Sequence, residues 1–159
     1  MIKVSVSGTL PANIGDEFYA RIRNQYSGWY FTTNNGNVDG QEAVDSDCQI
    51  WKFERQSDGS YKIINKADGV MDVSDSANEG TNSNIQVWSD NGSDNQRYYI
   101  YQLDNAYYIK PVCIDLVLDM DMNNYPRNVA VWDKGVDWNP QKFDIEKIDP
   151  NIKKTRRHQ

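Results

Sequence analysis

Histidine is almost missing from this 159-residue sequence: the single one, His158, stands second from the end. A Ser–His–Asp or Cys–His nucleophile needs a positioned imidazole, so neither is expected. The two cysteines, Cys48 and Cys113, cannot with one histidine supply the soft ligands of a zinc site. A long-range disulfide between them and two unpaired thiols both stay open. Glutamate is scarce, at 5 against 18 aspartates, and no pair of carboxylates for glycoside hydrolysis stands out. No enzyme, metal or cofactor is expected.

Leucine is also scarce, at 4. No segment shows a sustained helical period, so helix should be minor. No run approaches the roughly 18 apolar residues of a membrane span. The opening stretch Met1–Gly8 lacks an apolar core of about 7–15 residues and does not read as a secretory signal. A leader removed earlier and none at all both fit, and secretion as part of a larger protein stays open. Positive charge is in deficit, with 17 Lys and Arg against 23 Asp and Glu, a net charge of −6 and a pI near 4.7. Binding to a nucleic-acid backbone depends on cations that neutralise phosphates, so that partner is not expected. The one basic cluster, Lys153, Lys154, Arg156 and Arg157, falls in residues 150–159, read as a solvated flexible tail.

What is abundant points to strands and turns. Isoleucine and valine number 13 and 12, aromatics 19, and aspartate leads the charged residues. The first two groups suit pleated strands; aspartate and asparagine suit turns. Leu, Ile, Val and Phe together make up about 21%, near the lower bound for a folded chain. The expectation is a turn-rich, all-β domain with a thin core.

Internal repetition gives the organisation. Gln49-Ile50-Trp51, Gln96-Arg97-Tyr98 and Gln141-Lys142-Phe143 each place an aromatic two residues after a glutamine. Asp58-Gly59 and Asp104-Asn105 then read as hairpin turns. Three units follow, at 18–60, 61–106 and 107–149, each of four short strands, so twelve in all. Three such units can share one core that none could build alone. Residues 1–17 lie outside the repeat, as a flexible arm or as an edge strand around Val4 and Val6.

The second unit gathers Asp72, Gln86-Val87-Trp88 and Asn95-Gln96. A carboxylate can accept hydroxyl hydrogen bonds, an indole offers a flat face to a pyranose, and a carboxamide both donates and accepts. These residues resemble the repeat of ricin-type β-trefoil lectins, the family 13 carbohydrate-binding modules, over residues 18–148. The resemblance implies a β-trefoil, a pseudo-threefold barrel capped by three hairpins. It also implies that Asp72 grips two adjacent hydroxyls, commonly the 3- and 4-hydroxyls of a galactose-type sugar. Trp88 would stack on the sugar, Asn95 would complete the bonding, and Gln96 would support Asp72.

The third unit carries a weaker version. Asp119 matches Asp72 and Trp132 matches Trp88, but Ala130 replaces the glutamine and Pro140 separates Asn139 from Gln141. Asn139 is the expected carboxamide there. In the first unit Phe31 or its neighbour takes the aspartate's place, so that unit should be silent. Asp119-Met120-Asp121-Met122-Asn123 opens like a calcium loop but lacks its glycine and closing glutamate.

The expected function is a lectin module for galactose- or N-acetylgalactosamine-terminated glycans, with the second unit the stronger site. It would act as a homo-oligomer or within a larger protein. The alternative is a β-trefoil that binds protein, as protease inhibitors and cytokine-like domains do.

Overall fold

The alternating strands close on themselves. The computed structural model of the chain describes residues 9–74 and 80–149; the strand expected around Val4 and Val6 and the basic tail 150–159 lie outside them. Twelve strands occur among the described residues, in three sets of four. The first set is β1 (Glu17–Asn24), β2 (Tyr30–Asn34), β3 (Asn37–Gln41) and β4 (Trp51–Arg55). The second is β5 (Tyr61–Asn65), β6 (Val70–Val73), β7 (Ile85–Trp88) and β8 (Tyr98–Leu103). The third is β9 (Ala106–Pro111), β10 (Val117–Met120), β11 (Arg127–Trp132) and β12 (Phe143–Ile148). A one-turn 3-10 helix precedes the last strand of each set, at Asp47–Gln49, Asp94–Gln96 and Asn139–Gln141.

Six strands form a closed antiparallel ring: β1 pairs with β4, β4 with β5, β5 with β8, β8 with β9, β9 with β12, and β12 with β1. Closure removes the exposed edges that an open sheet must protect. The remaining strands make the hairpins β2–β3, β6–β7 and β10–β11, which cap one end. Each hairpin touches both others, through Asn37 opposite Gln86, Asn128 opposite Asp39, and Asn84 opposite Ala130. This is a β-trefoil, with the threefold repetition the sequence predicts.

The core lies where barrel and cap meet. Trp51, Tyr98 and Phe143, the aromatics that follow the repeated glutamines, are all fully buried, as are Phe31, Phe53 and Tyr61. Phe31 meets Phe143 edge-on with centroids 5.0 Å apart, and Phe18 stacks on Phe53 at 4.9 Å. Fully burying one such side chain contributes about 1.5–3 kcal/mol, so a few aromatics offset the shortage of leucine. The segment before β1 is pinned to the barrel: Ala12 N–H donates to the Ile100 carbonyl, and the Tyr61 hydroxyl donates to the Gly15 carbonyl. Cys48 and Cys113 form no disulfide.

Candidate functional site

The three repeats use one scaffold and fill it differently. Each glutamine of the Gln-x-aromatic motif is fully buried and ties its 3-10 helix to the cap. Gln96 Nε2 donates to Asp72 Oδ2 at 2.9 Å and to the Ser89 carbonyl at 2.8 Å, while its Oε1 accepts from Asn91 N–H at 2.9 Å. Gln141 repeats the set with Asp119 Oδ2 at 3.1 Å, the Asp133 carbonyl at 2.8 Å and Gly135 N–H at 3.0 Å. Gln49 repeats it with Thr32 Oγ1 at 3.1 Å, the Glu42 carbonyl at 2.8 Å and Val44 N–H at 2.9 Å. Thr32, Asp72 and Asp119 are therefore equivalent positions.

Across the hairpin from them stand Asp39, Gln86 and Ala130. Two residues further on come Gln41, Trp88 and Trp132. In the first repeat the neighbour of Phe31 that matters is thus Thr32. Its hydroxyl donates to the Tyr30 carbonyl and accepts from Gln49. Gln41 stands where an indole would, and its amide donates to Asp39.

The second repeat brings Asp72, Asn95 and Gln96 together and leaves Trp88 apart from them. Asp72 accepts from Gln86 on Oδ1 at 3.1 Å, and on Oδ2 from Asn95 at 3.1 Å and Gln96 at 2.9 Å. A carboxylate has about four lone-pair sites, so three donors nearly saturate it. Asp72 is only 3% exposed. Asn95 also donates to the Val73 carbonyl, so its amide nitrogen serves the fold as well. Trp88 is 58% exposed. It borders a shallow depression of about 260 Å³ with Asn35, Asn37, Asn84 and Gln86, and Asp72 does not line it. Gly69 lets the chain pass Trp88 closely, since a Cβ there would collide with the Trp88 carbonyl.

The third repeat is more open. Ala130 is too small to cover Asp119, and a cleft of about 400 Å³ lies over the carboxylate. Its walls include Asn82, Asn128, Trp132 and Trp138, the two indoles being 39% and 42% exposed. Asp119 accepts from Gln141 at 3.1 Å, which leaves lone-pair sites toward the cleft, and the nearby Trp138 indole favours its charged form. Burial pushes its carboxyl up to about 6; the Gln141 bond opposes this, nearby Asp121 adds to it, and the Trp138 indole opposes it.

Asn139 requires a correction. The 3-10 helix Asn139–Gln141 aligns with Asp94–Gln96, so Asn139 matches Asp94 and Pro140 takes the place of Asn95. Asn139 does not line the cleft, and its carbonyl instead accepts from Asn24. Trp138, missed in the sequence, lines the cleft with Asp119, while Pro140 has no donor to offer. The only signal was an indole six residues past Trp132 in a polar loop. Asp121 is occupied in shaping the turn that rims the cleft, accepting from Asn123 N–H and Asn124 N–H.

A closed six-strand barrel capped by three hairpins defines a β-trefoil. The sequence profile described as ricin-type beta-trefoil lectin domain-like matches residues 9–88. The chain belongs to that family. Solved structures share the fold. The designed threefold-symmetric protein ThreeFoil matches with a TM-score of 0.75 and 21% identity over 82% of this chain and 99% of that one. The Polyporus squamosus lectin bound to the epitope Neu5Aca2-6Galb1-4GlcNAc gives 0.76 and 20% over 85% of this chain and 50% of that one. The Macrolepiota procera ricin B-like lectin in complex with lactose gives 0.74 and 13% over 86% and 100%. No curated protein sequence matches.

Proposed function

We propose that the chain binds galactose- or N-acetylgalactosamine-type sugars without chemical conversion, chiefly through the third-repeat cleft. A second, weaker site lies at Trp88. The observation that carries this reading is the state of Asp119: it faces an open cleft lined by two indoles, with lone-pair sites left for sugar hydroxyls. An axial 4-hydroxyl leaves a continuous C–H face beside the hydroxyls that Asp119 would hold, and Trp132 offers the matching flat surface. That a fold relative is in complex with lactose agrees with this sugar class.

The order of the two sites is the reverse of the one expected from the motif alone. The third repeat departs further from the motif, but the residue it loses is the one that would cover the carboxylate. A glycan array tests the class of ligand. Retention on galactose- and N-acetylgalactosamine-terminated glycans is expected. Binding confined to glucose- or mannose-terminated glycans would overturn the sugar class, and an empty array would overturn carbohydrate binding itself.

A further inference from the structure

Trp88 and Trp132 each lie against the tip of another repeat's hairpin. Val131 of β11 donates its N–H to the Ser83 carbonyl at 3.0 Å, and Asn82 N–H donates to the Val131 carbonyl at 2.7 Å. With Asn84 opposite Ala130, this register sets Asn82 beside Trp132. Val87 of β7 donates in the same way to the Gly36 carbonyl at 2.9 Å, and Asn37 is opposite Gln86, so Asn35 falls beside Trp88. Asn35 and Asn82 are both left-handed, at φ 51° and 74°. At the third junction Asn128 is opposite Asp39, which sets Pro126 beside Gln41. An asparagine thus accompanies each indole, and a proline stands where the indole is missing.

The asparagines two residues further along behave differently. Asn37 donates to Asn128, Asn128 to Asn84 and Asn84 to Asn37, a closed ring with distances of 2.7 to 2.9 Å. Those amides are spent on holding the three hairpins together. Asn35 and Asn82 are exposed, and their side chains hydrogen-bond to no described residue. Asn82 lines the cleft over Asp119, on the opposite side of β11 from that carboxylate.

We propose that Asn82 is a specificity-determining residue of the third-repeat site, contributed by the second repeat, and that it reads the sugar linked to the one stacked on Trp132. The inference rests on the reading of this cleft as a galactose site. When the 3- and 4-hydroxyls of a galactose are held by Asp119, the opposite ring bond joins the ring oxygen to C1. The far edge therefore carries the next residue of the glycan across β11 toward Asn82. A free carboxamide there can donate to one hydroxyl or acetamido oxygen and accept from another hydroxyl. Asn35 would play the same part beside Trp88.

The test compares methyl β-galactoside with lactose by calorimetry, in a Trp88→Ala background so that one cleft reports. Glycine adopts a φ of 74° without strain and keeps the backbone bond to Val131, so Asn82→Gly removes the amide alone. The parent should bind lactose about threefold to tenfold more tightly than methyl β-galactoside. In Asn82→Gly the preference for lactose should disappear and the two ligands should bind alike. Asn82→Asp, which keeps an acceptor but loses the donor, should fall between them. A lactose preference that survives Asn82→Gly, or a parent that binds both ligands equally, overturns the inference and leaves the cleft's sugar binding standing. A parent that binds neither overturns both.

Discussion

Opposite Asp72 stands Gln86, and opposite Asp119 stands Ala130. The glutamine donates to Asp72 and closes it off; the alanine leaves Asp119 facing a cleft. Ala130→Gln should therefore copy the second repeat into the third and weaken lactose binding at least about tenfold, with the fold intact by circular dichroism. The charge state of Asp119 gives a second prediction. Its carboxyl titrates at about 6 instead of the ordinary 3.8, chiefly through burial. Only the carboxylate accepts two hydroxyl bonds, so lactose affinity should fall about tenfold between pH 7.5 and pH 5. The stability linkage has the opposite sign. A folded-state value above the unfolded one means the folded chain binds the proton more tightly, so this group adds stability as pH falls from about 7 toward 4. Calorimetric titrations and thermal melts over that range separate the two trends. The motif at these residues was legible in the sequence, but its consequence was not. Ala130 reads as a lost hydrogen-bonding group until the space it leaves is seen.

At the scale of elements, the repeated glutamine is the most legible feature because it does the same job three times. Gln49, Gln96 and Gln141 each make three hydrogen bonds, one to a capping hairpin and two to the loop that leads from it to the 3-10 helix. In the first repeat Gln41 stands where the exposed indole would, so Gln49 can be tested for structure alone. Gln49→Ala leaves buried groups without partners and should lower stability by about 1–3 kcal/mol in urea unfolding, with lactose binding unchanged. The 3-10 helices themselves were not legible, being one turn long with no hydrophobic period to reveal them. Their register nevertheless decides Asn139. A helix that begins at Asn139 puts Pro140 in the donor's position, and the Trp138 indole lines the cleft with Asp119 instead. Spacing counted along the sequence could not anticipate an indole reaching in from outside the motif.

For the whole molecule, threefold repetition explains how so little leucine suffices. One ring of six strands and three hairpins bury Trp51, Tyr98 and Phe143 in a shared interior, and Trp88 and Trp132 are left on the outside. On the proposed function, two sites on one scaffold would make binding to a glycan-coated surface stronger than binding to a free sugar. Removing either indole, by Trp88→Ala or Trp132→Ala, should weaken retention on a dense galactose surface far more than the loss of half the sites would. Surface plasmon resonance at high and low ligand density checks this. The most direct measurement is calorimetric titration of the wild type and Asp119→Asn with lactose at pH 7.5. Saturable heat in the wild type and binding at least about tenfold weaker in Asp119→Asn are expected. Equal affinity in the two proteins would contradict a sugar held by Asp119.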